Sequence, residues 1–177
     1  MNEKVASWRS VLRLWIDRLN SVAALICHGL LVIITTITVA QVFLRFALNS
    51  PTSWSEEVAL LCLIWFGLLA VAIGIRRHEH VAITFFRDLL PGPLATALDV
   101  LAQLAMGYFM FTVMLHAGDL IKLVGVQVLP ASSLPKSLLY LPTIVGGTLG
   151  TLNAAANLLL GDIAPEPLDS TETSNAN

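Results

Sequence analysis

The chain reads as an all-α integral membrane protein with four transmembrane helices, and three observations predict this. Of its 177 residues, 56% are hydrophobic and only 12% charged, about half the charged share of an ordinary soluble domain. Mean hydropathy is +0.77. Four apolar runs, near 22–46, 55–75, 94–118 and 137–160, meet or approach the roughly 20 residues a helix needs to cross a bilayer. With their connections they fill a single membrane domain over 1–162. No room remains there for a soluble catalytic domain, so the reading is not an enzyme. Residues 163–177 contain no Lys or Arg and read as a disordered tail.

The first run exceeds the roughly 7–15 residues of a signal-peptide core, and no small-x-small site follows it. It is expected to stay as a signal anchor. Ahead of it, over 4–20, Val5, Trp8, Leu12, Trp15 and Leu19 recur at helical spacing, with Arg9, Arg13 and Arg18 mainly off that stripe. This predicts an amphipathic arm lying in the headgroup plane of the lipid bilayer, its Trp residues at the interface. An arm packed on a partner protein would show the same stripe. A second in-plane segment is expected between helices 2 and 3, where Val81, Phe85 and Leu89 precede Pro91, Gly92 and Pro93.

Basic residues give the sidedness. Lys4, Arg9, Arg13, Arg18, Arg76, Arg77 and Arg87 fall on one side, against Arg45, Lys122 and Lys136 on the other. The positive-inside rule then puts both termini in the cytoplasm. The remaining sizeable external stretch carries Pro130 and Pro135. Ser133 or Leu134 is expected to open the last helix, with Pro135 in its first turn, where a missing N–H costs little.

The polar residues decide between chemistry and architecture. In "WSEE", Ser53 and Glu56 have the spacing of a capping box. That box does not explain Glu57, because consecutive helical residues point about 100° apart. A hairpin turning about Ser50–Pro51 sets Arg45 level with Glu56, so Arg45 is expected to pair with one glutamate while the other faces outward. Trp54 suits the aromatic belt, whereas Trp65, mid-span beside Gly67, predicts a helix–helix contact. Gly146, Gly150 and Ala154, with Ala70 and Gly74, make small-residue faces of the kind that lets backbones approach in lipid. Met106, Met110 and Met114 form a stripe expected to pack. Asp99, Asp119 and Gln41 are expected to bond between helices or reach toward water, with a proton relay as the alternative.

Cofactor chemistry finds little support. His28 and His116 differ in depth by about 24 Å, too far to share one haem iron. His78 and His80 are two apart, on opposing sides of any helix. Cys27 and Cys62 are set about 18 Å apart in such a hairpin, beyond disulfide reach. No metal, cofactor, nucleophile–base pair or nucleic-acid surface is expected. The inverted repeats and broken helices of self-sufficient transporters are not evident either.

The run "VFLRF", a short turn, "WSEE" and then "IWFGLLAVAIGIRRHEHV" resembles the small membrane subunit (DctQ-like) of tripartite ATP-independent periplasmic (TRAP) transporters. The matching positions are Arg45, Phe46, Trp54, Glu56, Glu57, Trp65, Gly67, Arg76 or Arg77, His80 and Val81. "LLYLPTIVGG", with Tyr140, Pro142 and Gly146, is similar to that family's last span. Glu79 departs from the pattern, standing where a small residue is expected. The resemblance covers roughly residues 20–160. It implies a non-catalytic four-helix subunit of the bacterial inner membrane. Such a subunit binds a large polytopic membrane subunit that holds the substrate and sodium sites, and a periplasmic substrate-binding protein supplies an organic acid. The outward glutamate of WSEE then becomes a candidate for docking the large subunit, with Arg77 and His80 as further interaction candidates. Two other readings compete: a haem- or quinone-linked anchor of a respiratory enzyme, and a small dimeric proton-coupled exporter.

Overall fold

The computed structural model describes residues 2–50, 52–78 and 92–162, with backbone alone for 2–7 and 92. Four helices make up nearly all of it: α1 (Asn2–Ala47), α2 (Ser53–Arg77), α3 (Gly92–Val124) and α4 (Ser137–Leu160). All four are long and apolar enough to cross a membrane, and the described residues contain no strand beyond an isolated bridge. The expected second in-plane segment and the tail at 163–177 lie outside the described residues.

The arm and the first span are a single helix of 46 residues, about 69 Å long at 1.5 Å per residue. The sequence between Arg18 and Ala24 has neither Gly nor Pro, so nothing there interrupts the backbone ladder. Of the stripe expected to lie on lipid, Trp8, Trp15 and Leu19 are exposed and Leu12 is half-buried. The bundle-facing positions are Ile16, Asn20, Ala23, Cys27, Leu30 and Ile34. They advance in alternating steps of four and three, the 3.5-residue period of left-handed helix packing.

Asn49, in the left-handed region (φ 52°), ends α1, and the Ser50 N–H closes on the Leu44 carbonyl at 3.1 Å. Thr52 is the N-cap of α2, and Ser53 is already helical. The expected Ser53–Glu56 capping box therefore does not form. Instead the Thr52 hydroxyl meets that of Ser55 at 3.0 Å, and Ser55 donates to the Thr52 carbonyl at 2.6 Å. The last helix also starts later than expected, at Ser137. Pro135 is held before it in a bridge with Val128, and its carbonyl accepts the Leu138 N–H at 3.1 Å.

Packing follows the order α1–α2–α4–α3, with α4 at the centre and in lighter contact with α1. Ala23 and Cys27 of α1 join Leu69 and Ile73 of α2, and Leu149 of α4 covers them. Ile75, Met110 and Ala154 bring α2, α3 and α4 together at one end. Glycines set the spacing around α4. Gly146 lies against the Leu68 backbone, and Gly147 against Met110 and Met114. The methionine stripe is thus packing material for α4, and both cysteines are free and buried.

Candidate functional site

The polar side chains gather at the two ends of the helices and at one point between. At the turn end, Gln41 of α1 donates to Glu56 of α2 at 3.0 Å. Glu57 accepts three bonds from the loop before α4: the Ala131 N–H at 3.1 Å, the Ser132 N–H at 2.7 Å and the Ser132 hydroxyl at 2.7 Å. The loop is itself a small hairpin, closed by Lys136 N–H to the Gln127 carbonyl and Leu129 N–H to the Leu134 carbonyl. Glu57 thereby clamps this hairpin to the start of α2. Loss of the clamp in Glu57→Ala is expected to speed amide exchange at Ala131 and Ser132 roughly 10-fold or more, since hydrogen bonds to a charged acceptor are stronger than neutral ones. Peptide-resolved hydrogen exchange checks this; unchanged rates would show that the clamp does not hold the loop.

Arg45 pairs with neither glutamate; its described contact is with the Phe46 ring, 5.8 Å from the centroid. The reason is register. Gln41, not Arg45, stands opposite Glu56, so the hairpin's midpoint falls near residues 48–49, earlier than Ser50–Pro51. Arg45 lies one helical turn beyond that contact. Neither glutamate is a bare outward carboxylate: Glu57 is occupied by the loop and the more exposed Glu56 is held by Gln41. Trp54 is exposed and Trp65 is half-buried beside the α1–α2 cluster. Gly67 faces open space, with no atom within 4 Å of where a Cβ would stand. Gly150 touches Met110 and Ile75.

At the opposite end, Arg76 is the hub. Its side chain, only 10% exposed, reaches Asp17 of α1 at 2.9 Å and Asp162 after α4 at 3.3 Å. It also donates to Asn157 at 2.6 Å, while Asn157 donates to the Ile75 carbonyl at 2.8 Å. Arg13 adds a bond to Asp162 at 2.6 Å. Arg77, the arginine singled out from the motif, is exposed. His80 lies outside the described residues. Next to the hub, the His78 ring meets Gln103 of α3 at 3.0 Å. Burial pushes its imidazole below the ordinary range, against the pull of the Asp162 backbone and of Asp99.

Between the ends, Asn20 and Asn153 exchange side-chain hydrogen bonds at 2.7 and 2.8 Å, and Asn153 also donates to the Ala72 carbonyl at 2.8 Å. Both are buried, Asn153 fully. Sequence reasoning passed over this pair, although an asparagine within an apolar helix is a recognised interhelical adhesive. The i, i+4 spacing of Asn153 and Asn157 was the available signal. Asn153→Ala is expected to cost about 1–2 kcal/mol by leaving the buried Asn20 Oδ1 without its donor and removing a bond to the Ala72 carbonyl. Adding Asn20→Ala should then cost less than it does alone. A thermal-unfolding double-mutant cycle tests the coupling, and strict additivity would refute it.

These bonds join helix to helix, and His28 and His116 each donate to a carbonyl of their own helix, Ala24 and Thr112. Among the described residues no group of three potential metal ligands comes together. The arrangement fixes the relative positions of α1, α2 and α4 at both ends.

A family model described as "Tripartite ATP-independent periplasmic transporters, DctQ component" matches residues 34–162. The chain is 34% identical over 87 residues to the sialic acid TRAP transporter small permease protein SiaQ of Vibrio cholerae, covering 49% of this chain and 50% of that one. It is 35% identical over 75 residues to the sialic acid TRAP transporter permease protein SiaT of Haemophilus influenzae, covering 42% of this chain and 12% of that one. A putative TRAP transporter small permease protein of Haemophilus influenzae is 23% identical over 131 residues, 74% of this chain and 81% of the relative. The alignments to the first two thus span half or less of those relatives.

Proposed function

Because the chain belongs to the DctQ component family of the tripartite ATP-independent periplasmic transporters, we propose that it is the small, non-catalytic membrane subunit of such a transporter. In this reading it sits in the bacterial inner membrane and braces a large polytopic subunit, which carries out sodium-coupled uptake of an organic acid delivered by a periplasmic binding protein. The observation that carries the bracing role is the use to which the polar side chains are put. Arg76 and Asn157 tie the helices together at one end, Asn20 and Asn153 tie three of them between the ends, and Gln41, Glu56 and Glu57 fix the other end. Such ties suit a body that stays fixed while its partner moves.

The partner is supported by the SiaT similarity. There a stretch like this chain makes up 12% of a permease, which is therefore more than three times as long as this chain. Covalent joining in a relative favours non-covalent association here. The organic-acid class rests on the names of the sialic acid relatives, and the cytoplasmic placement of both termini rests on the distribution of Lys and Arg.

The test is a mild-detergent pull-down of the tagged chain from its native membrane, with partners identified by mass. One large polytopic protein in one-to-one ratio is expected. Recovery of the chain alone, as a homodimer, or with a haem-coloured redox subunit would overturn the reading.

A further inference from the structure

The outward face of α1 carries a cation, Arg18, with no ion-pair partner among the described residues, at a depth that can be read from its neighbours. Asp17 is bonded to Arg76, the residue that closes the apolar run of α2, so this level of α1 marks the polar edge of the helix array. Arg18 stands at the same level but points away from the array, since Asn20, two residues on, faces inward and is buried. Val11, Leu14, Trp15 and Arg18 have the i, i+3, i+4, i+7 spacing of one helix face, and they line a single groove of about 430 Å³.

The chemistry of that face changes along the helix. On the span side of Arg18 come Val22, Leu25 and Ile26, all exposed. On the other side come Trp15, 64% exposed, and Leu14, 69% exposed. Arg13 is bonded to Asp162; among the described residues Arg18 makes no ion pair. An apolar strip leading to a guanidinium is complementary to an amphiphile whose acyl chains end in an anionic head. Indole rings such as that of Trp15, one turn beyond Arg18, favour the headgroup level, and guanidinium binds phosphate oxygens in a bidentate fork.

We propose that Arg18, flanked by Trp15, forms a binding site for the phosphate headgroup of an anionic phospholipid. Its acyl chains run along Val22 and Ile26. The site rests on α1 alone and stands whether or not the chain serves a transporter.

The full chain is placed in nanodiscs of phosphatidylcholine with phosphatidylglycerol and extracted into mild detergent, and retained lipids are counted by native mass spectrometry. Phosphatidylglycerol is expected to be retained over phosphatidylcholine. Arg18→Gln should lower that retention about fivefold, the effect of one basic residue near an anionic surface, and Arg18→Lys should keep part of it. Lys122→Gln, at the end of α3, should leave it unchanged. Equal retention of the two lipids by the unsubstituted chain overturns the proposal, as does undiminished retention by Arg18→Gln. Displacement of the lipid by inorganic phosphate would mark a free-anion site and also overturn it. Loss of a co-purifying protein, with lipid retention intact, would assign Arg18 to a protein contact instead.

Discussion

Arg76→Ala is expected to be the most damaging single truncation of a polar residue in this chain. Removing the guanidinium leaves the Asp17 and Asp162 carboxylates and the Asn157 amide oxygen facing one another without the donor they share. The Arg76 side chain is nearly buried, whereas Asp17 is 50% and Asp162 32% exposed, so water can take up part of the loss. The cost then falls at about 2–3 kcal/mol, the range for hydrogen bonds to charged groups, rather than the larger penalty of a fully enclosed ion. For a chain of this length that corresponds to a fall of roughly 4–12 °C in unfolding temperature. Arg76→Lys should lie between, because an ammonium keeps the charge but cannot bond all three partners in the planar fork that arginine presents. Lys122→Ala serves as the control: its pairing with Asp119 is highly exposed at 3.5 Å, and such pairs contribute about 0–1 kcal/mol. Thermal unfolding of the detergent-solubilised chain reads all three. If Arg76→Ala unfolds within a degree of Lys122→Ala, the hub does not hold the helices together.

How far this hub and its surroundings were legible depends on the range of the interaction. The four helices followed from local hydropathy alone, because a long apolar run has one stable form in lipid. Helix α4 starts and ends where its apolar run does. The hairpin register did not follow, since it turns on how Asn49 and Ser50 close α1, and a shift of one helical turn replaces Arg45 by Gln41 opposite Glu56. The arm's continuity with the first span was decided by the absence of a breaker rather than by any positive signal. The hub was hidden for another reason. Asp17, Arg76 and Asp162 each look like ordinary charges near a membrane surface, and only the three-dimensional packing joins residues separated by 59 and 86 positions. Glu57 shows the same limit. A carboxylate beside a helix start reads as a cap or a docking group, and its use by a loop 74 positions away depends on where α4 returns.

Gly146 and Gly67 make a paired prediction that separates packing inside this chain from packing against a partner. A Cβ on Gly146 would stand 2.9 Å from the Leu68 carbonyl oxygen and 3.0 Å from the Leu68 Cβ. The carbonyl belongs to the α2 backbone and cannot swing aside as a side chain could, so α2 and α4 must separate. Gly146→Val is therefore expected to cost about 3 kcal/mol, the upper end for overpacking a close contact. Gly146→Ala should cost less, because the clash is offset by the roughly 1 kcal/mol that alanine gains over glycine in a helix. At Gly67 that gain stands unopposed, for its Cβ would meet open space; Gly67→Ala should stabilise the isolated chain by about 0.5–1 kcal/mol. The contrast sharpens in the complex proposed above. If the partner's backbone lies against Gly67, the substitution that stabilises the isolated chain will weaken the complex, whereas Gly146→Val will lower the stability of both. Thermal unfolding of the chain alone, set beside recovery of the complex in a pull-down, resolves the two effects. Undiminished complex recovery with Gly67→Ala would remove Gly67 from the interface, and an unshifted unfolding temperature for Gly146→Val would refute the close α2–α4 approach.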